Sequence, residues 1–274
     1  MKLLQKKKFS FARFIKIVIL LYCTTGILIY YLQDYVLFQP VPLTKNHLYN
    51  FSAPHREVNI AFTEKSNISI VQFLCKDAAV KGVVLYFHGN KKNISWYARF
   101  APRFTKHGYE VWMIDYPGYG KSTGSFTEEM LYLYAMQMYK LAKNKFAADS
   151  IIIYGKSMGT GIAACLASFQ PCKKLILETP YYSFSSIGSY YFPIYPMEMM
   201  TKIKIPSFKY LQNVKAPVSI FHGTGDRIIP YSNAERLKPY LKPGDEFITV
   251  EGGSHNDLNE FPLVQQKLDS LLTY

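Results

Sequence analysis

From residue 68 to residue 273 the chain alternates short β-branched or aromatic runs with longer helix-like stretches, and this alternation limits its fold more than any other feature. The runs stand at 68–74, 83–87, 110–114, 151–154, 174–177, 217–221 and 246–250. The helix-like stretches stand near 93–106, 127–144, 158–169, 232–241 and 262–273. Runs such as Gly82-Val83-Val84-Leu85-Tyr86-Phe87 and Ile151-Ile152-Ile153-Tyr154 have no polar side. Strands that are apolar on both sides belong in a parallel sheet with helices on both faces. The alternation therefore predicts a doubly wound α/β sheet, whose functional residues gather at the carboxyl ends of the strands.

Those ends carry chemistry. His88-Gly89-Asn90 follows the run at 83–87, and Asp115-Tyr116-Pro117-Gly118-Tyr119-Gly120-Lys121-Ser122 follows that at 110–114. Gly155-Lys156-Ser157-Met158-Gly159 follows Ile153-Tyr154. His222-Gly223-Thr224-Gly225-Asp226 follows Ile220-Phe221, and Gly252-Gly253-Ser254-His255-Asn256-Asp257 comes just after the last run. The pentapeptide is a G-x-S-x-G turn between a predicted strand and a predicted helix. Glycine is needed on either side because a sharp strand-to-helix turn leaves no room for side chains there. The turn also sets Ser157 at a helix start, where free N–H groups favour a developing oxyanion.

A serine hydroxyl is a weak nucleophile and needs a general base. His255, on a Gly-rich loop, is the candidate; read alone it would be a surface loop histidine. His88 and His222 also follow strands, but glycine comes next in each case, and both read as residues that hydrogen-bond their own loops. Asp226 is the candidate to orient the imidazole, against the plainer role of a turn cap, with Glu178 as the second choice. Asp115 is expected to stabilise its own Gly-rich turn. The oxyanion donors are expected to be the backbone N–H groups of Met158 and Asn90.

Ahead of the sheet, residues 17–32 read IVILLYCTTGILIYYL without a charge. As a helix this is about 24 Å, and Phe14 and Ile15 can lengthen it towards a ~30 Å hydrocarbon core, with Lys16 snorkelling. Tyr30, Tyr31 and Tyr35 fall where an aromatic belt would. A cleaved leader would need small residues after Leu32, which are lacking, and a lipoprotein signal would need a small residue where Tyr22 precedes Cys23. Lys2, Lys6, Lys7, Lys8, Arg13 and Lys16 precede the span, which puts the N-terminus in the cytoplasm and the main domain across the membrane. The chain thus divides into a basic tail at 1–13, a transmembrane signal anchor at 14–33, an extended connector at 34–57 and an α/β domain at 58–274.

The net charge of +13 raises the possibility of nucleic acid, but outside the tail the lysines are scattered and no nucleic-acid motif is present. Attraction to anionic headgroups accounts for the tail. Cys23, Cys75, Cys165 and Cys172 fall in no metal-ligand spacing and are read as free thiols, although a Cys165–Cys172 bridge is conceivable. No metal or cofactor is expected, and nothing points to a protein partner.

With these residues assembled, residues 58–272 resemble the α/β-hydrolase superfamily. His88-Gly89-Asn90, Asp115-Tyr116-x-Gly118-Tyr119-Gly120-x-Ser122, the Ser157 pentapeptide, Gly223-x-x-Asp226 and His255-Asn256-Asp257 are similar to a branch of membrane-anchored serine hydrolases described as serine aminopeptidase-like or acyl-protein thioesterase relatives. The order Ser157, Asp226, His255 is the order of that fold. The resemblance implies an eight-stranded, mostly parallel sheet, acyl-enzyme chemistry and no cofactor. Pro117, where many members carry Arg, and Lys156, beside the nucleophile, depart from the pattern and bear on the pocket and its charge.

Residues 180–216 interrupt the alternation with many Tyr, Phe and Met, where such folds carry a cap; the plainer reading is a helical excursion filling its own core. The expected activity is cleavage of an acyl ester or thioester, with a lipid or long acyl chain favoured by an apolar cap beside an anchor. The alternatives are a peptidase, with Glu178 or Glu198 to hold an amine, and a non-catalytic membrane scaffold.

Overall fold

The computed structural model describes residues 11–75 and 79–273. Lys2, Lys6, Lys7 and Lys8 of the basic tail lie outside them. Eight strands form one sheet: β1 (His55–Thr63), β2 (Ser66–Phe73), β3 (Gly82–Phe87), β4 (Tyr109–Ile114), β5 (Ile151–Lys156), β6 (Lys174–Glu178), β7 (Val218–Gly223) and β8 (Glu246–Val250). Their spatial order is β8-β7-β6-β5-β3-β4-β2-β1. β2 runs antiparallel to both of its neighbours, and the other pairs are parallel. Every residue of β3, β4, β5 and β7 is buried, which is why these runs carry no polar face.

The helices are α1 (Phe11–Leu37), α2 (Ile94–Tyr97), α3 (Pro102–Thr105), α4 (Glu128–Lys143), α5 (Met158–Phe169), α6 (Phe184–Tyr191), α7 (Met197–Met200), α8 (Ser207–Leu211), α9 (Tyr231–Glu235) and α10 (Pro262–Thr273). Alternate strand residues feed two cores. Leu85, Ile153, Leu177 and Ile220 meet Met138 of α4 and Ile162 of α5. Tyr86, Ile152, Ile176 and Phe221 meet Phe104 of α3 and Leu268 of α10 on the other face. The stretch expected to be one helix at 93–106 is broken into short turns. Its capping residue Asn93 accepts from the Ser95 N–H, and Pro102 opens the last turn.

The N-terminal boundaries need correction. α1 runs four residues past the expected end of the anchor, to Leu37. The connector at 34–57 is no free spacer: Phe38 and Tyr49 are buried, Gln39–Pro40 pair in parallel with Lys91–Lys92, and β1 already begins at His55. The chain descends from the helix directly onto the domain because Pro40 and Pro42 hold it extended against the loop that follows β3. All four cysteines are free, so the conceivable Cys165–Cys172 bridge is absent.

Residues 180–216 contain α6, α7 and α8, and α8 packs against α5. A capping box between Ser183 and Ser186 starts α6. Tyr195 and Met197 are buried, and Tyr181, Ile203 and Ile205 belong to the main core.

Candidate active site

Ser157 stands between β5 and α5 with φ +52° and ψ −121°, the strained backbone that a nucleophile-bearing turn requires. The flanking glycines are enforced by contact. A Cβ at Gly155 would come within 2.5 Å of the Gly159 carbonyl oxygen, and one at Gly159 within 2.1 Å of the Phe87 carbonyl oxygen. The second contact presses the turn against the end of β3, so the loop at 88–90 lies beside Ser157.

Three side chains expected to act together meet here, although they are far apart in sequence. His255 Nε2 lies 2.9 Å from Ser157 Oγ, and His255 Nδ1–H donates to Asp226 Oδ2 at 2.7 Å. That bond fixes the tautomer, leaving Nε2 free to accept the serine proton. Asp226 Oδ1 accepts the Ile228 and Ile229 N–H groups at 2.8 and 2.9 Å. Burial disfavours the Asp226 carboxylate, but the hydrogen bond and charge of His255 and the Ile229 N–H outweigh it, so its pKa falls below its ordinary value. All three are nearly buried, with exposures of 7% for Ser157, 5% for Asp226 and 7% for His255.

The Met158 and Asn90 N–H groups, expected to be free donors, make no hydrogen bond among the described residues. The Asn90 loop is held from several sides. Its side-chain amide donates to the Leu37 carbonyl, and its own carbonyl accepts from Gln39 N–H at 2.9 Å and Tyr119 O–H at 2.7 Å. Tyr116 O–H donates to the His88 carbonyl at 2.8 Å. Tyr116 and Tyr119 thus fix the peptide planes of this loop. Sequence reading missed that role; the signal was two tyrosines in a Gly-rich turn beside the loop's strand.

His88 Nδ1–H donates to the Gly89 carbonyl at 2.7 Å, the loop-bonding role expected of it. His222 Nε2–H donates to the Ile229 carbonyl at 2.9 Å, but the ring also lies 3.5 Å from Asp226 Oδ2, closer to the acid than expected. Burial lowers the His222 pKa, against the Ile229 carbonyl and the Asp226 charge, which raise it. Asp115 accepts the Ile94 N–H at 3.0 Å and fills the space where a Gly120 Cβ would stand.

Glu178, the second-choice acid, is not at His255. Lys156 and Glu178 are register partners on β5 and β6, and the Glu178 carboxylate accepts from Lys156 Nζ and Tyr154 O–H, with Arg103 at 3.5 Å. Alternation along β5 turns Lys156 with Ile152 and Tyr154 to the α3 side of the sheet, where Glu178 takes up its charge. Burial alone would raise the Glu178 pKa, but the charges of Lys156 and Arg103 and the hydrogen bonds from Lys156 and Tyr154 bring it down from 4.5 to about 2. A carboxyl with a folded pKa below its unfolded value contributes stability above about pH 4.5, and that stability is lost as pH falls towards 2. Glu178→Gln, which strands Lys156, should lose about 3–5 kcal/mol near neutral pH in urea unfolding, and its stability should fall less steeply on acidification.

Among the described residues no cluster of His, Cys, Asp or Glu is arranged to hold a metal. A family model for serine aminopeptidase, S33, matches residues 78–212, a stretch that contains Ser157 and ends before Asp226. An esterase of Pyrococcus furiosus superposes with a TM-score of 0.68 at 17% identity, over 86% of this chain and 96% of that one. An α/β-hydrolase of Vibrio vulnificus superposes with a TM-score of 0.65 at 21% identity, over 80% of each. The chain has the α/β-hydrolase fold. Alpha/beta hydrolase domain-containing protein 17C of Xenopus tropicalis is 26% identical over 77% of this chain and 68% of its own length. An uncharacterized protein of Mycobacterium tuberculosis is 30% identical over 64% of this chain. The alignment spans 63% of the mycobacterial protein, short of two thirds of its length.

Proposed function

We propose that this α/β-hydrolase is a membrane-anchored serine hydrolase that cleaves an acyl ester or thioester. The observation that carries the reading is the unbroken line from Asp226 through His255 to Ser157 Oγ, set beside two N–H groups that make no hydrogen bond among the described residues. Ser157 Oγ attacks the acyl carbonyl while His255 Nε2 takes its proton, and Asp226 steadies the imidazolium. The Met158 and Asn90 N–H groups hold the oxyanion. His255 returns the proton to the leaving group, and water then releases the acid from the acyl-enzyme by the same steps.

α1 is long and apolar enough to cross a bilayer. Read as a signal anchor behind the basic tail, it puts the N-terminus in the cytoplasm and the hydrolase domain on the far side. An apolar cap next to that anchor favours a lipid or long-chain acyl substrate. A peptidase would need a carboxylate for the substrate amine; Glu178 is committed to Lys156, and Glu198 is exposed on α7, so esters and thioesters are preferred. The test is to purify the full chain in detergent and offer short and long acyl esters, thioesters and aminoacyl amides. Long-chain ester or thioester turnover, competed by a fluorophosphonate, is expected. Amide turnover without ester turnover would replace this reading with the peptidase one, and the absence of both turnover and labelling would leave a scaffold.

A further inference from the structure

The cap does not sit apart from the N-terminal helix; it is built onto it. Tyr22 and Tyr195 stack with ring centroids 4.7 Å apart and planes 7° from parallel. The Tyr22 hydroxyl donates to the Ile194 carbonyl at 3.1 Å, and the Tyr195 hydroxyl donates back to the Tyr22 carbonyl at 3.0 Å. Gly26 makes the approach possible, since a Cβ there would stand 3.1 Å from the Tyr195 ring. Further along α1, Gln33 donates to the Met200 carbonyl at 3.0 Å and accepts the Lys202 N–H at 3.0 Å, and Lys202 Nζ lies 2.8 Å from Asp34.

These contacts give the cap a depth. Tyr22 lies eleven residues before Gln33, about 16 Å along the helix, or about half of a ~30 Å hydrocarbon core. If Gln33, Asp34 and Lys202 lie at the headgroups, the chain from Ile194 to Met200 runs beside α1 through the outer leaflet. Its polar groups fit that setting, because both tyrosine hydroxyls facing the helix are paired, as hydrocarbon demands. Its free edge is apolar: Tyr190, Phe192, Ile194 and Met199 are exposed, Ile194 at 70% and Met199 at 83%. Glu198, the one acidic side chain between 180 and 216, borders a polar hollow with Ser186, Ser189 and Arg236. On its other side the cap reaches the acid loop, where the Tyr191 hydroxyl donates to the Arg227 carbonyl at 2.7 Å.

We infer that the cap edge formed by Tyr190, Phe192, Ile194 and Met199 is inserted into the lipid bilayer, and that acyl chains reach Ser157 from the hydrocarbon rather than from water. The inference rests on reading α1 as a span and Ser157 as the nucleophile, and it names the substrate as one resident in the membrane. Apolar surface continuous with a spanning helix is left exposed where its solvent is lipid.

The test uses the full chain in phosphatidylcholine vesicles. In Ile194→Trp and Met199→Trp, the added fluorescence, measured against the wild-type background of Trp96 and Trp112, should be quenched by lipid brominated midway along its acyl chain and protected from aqueous iodide. Iodide quenching with no gain from the brominated lipid would overturn insertion. In the double variant Ile194→Asp with Met199→Asp, turnover of a long-chain ester carried in the vesicles should fall about tenfold or more. Turnover of a soluble short-chain ester and fluorophosphonate labelling should hold. Equal loss on both esters, or loss on neither, would overturn lateral supply. Should wild type neither label nor turn over any ester, the hydrolase reading fails, and the quenching still decides whether the cap is inserted.

Discussion

Ser157→Ala should abolish fluorophosphonate labelling and lower ester turnover by about 10⁴- to 10⁶-fold while leaving the protein folded. The expectation separates chemistry from architecture. The side-chain hydroxyl makes one contact of consequence, the 2.9 Å approach to His255 Nε2. The backbone around it is held independently: Ser157 N–H donates to the Glu178 carbonyl at 2.9 Å, and its carbonyl accepts from the Thr160 N–H at 2.9 Å. Alanine inherits the same strained φ of +52°, so the strain already present is kept rather than added. Unfolding free energies of the two proteins from urea titration should therefore agree within about 1 kcal/mol. Labelling that survives the substitution would move the nucleophile elsewhere, and a collapse in stability would mean that the turn depends on its hydroxyl.

The features that sequence could give are those that burial imposes residue by residue. β3 and β5 are covered on both faces, so their composition alone named them. β1 is one of the two edge strands. Arg56, Glu57 and Asn59 interrupt its apolar residues and none of its residues is fully buried, so the run HREVNIAFT carries no signal strong enough to separate it from a connector. Ser157 was legible because its turn excludes any side chain on either side, a local demand that writes itself into adjacent positions. Asp226 and His255 were legible from their places after β7 and near the end of β8. What was hidden depends on distant partners. Nothing near Asn90 in sequence announces that Leu37, Tyr116 and Tyr119 hold its loop, and nothing near Lys156 announces that Glu178, which also faces Arg103, takes up its charge. The docking of the cap on α1 joins residues about 170 positions apart, and no pattern within either segment encodes it.

Asp226→Asn should lower kcat by about 10⁴-fold with little loss of stability, a second test that depends on one proton. The carboxylate does two separable jobs. Oδ1 accepts the Ile228 and Ile229 N–H groups and shapes the loop, and an asparagine oxygen can take both bonds in its place. Oδ2 accepts His255 Nδ1–H, and there the amide nitrogen presents a hydrogen instead of a lone pair. Nδ1 must then give up its proton to accept from the amide, which moves the imidazole hydrogen to Nε2, facing Ser157 Oγ. The ring becomes a donor where a base is required. The imidazolium formed during attack also loses the charge that steadies it. Because the defect is in proton acceptance, turnover should rise with pH over a wider range than in wild type, as hydroxide takes the place of the missing base. Slow fluorophosphonate labelling of Ser157 should persist and quicken in the same direction. A variant that kept wild-type turnover would remove Asp226 from the mechanism. One that unfolded would leave its loop-shaping role as the larger of the two.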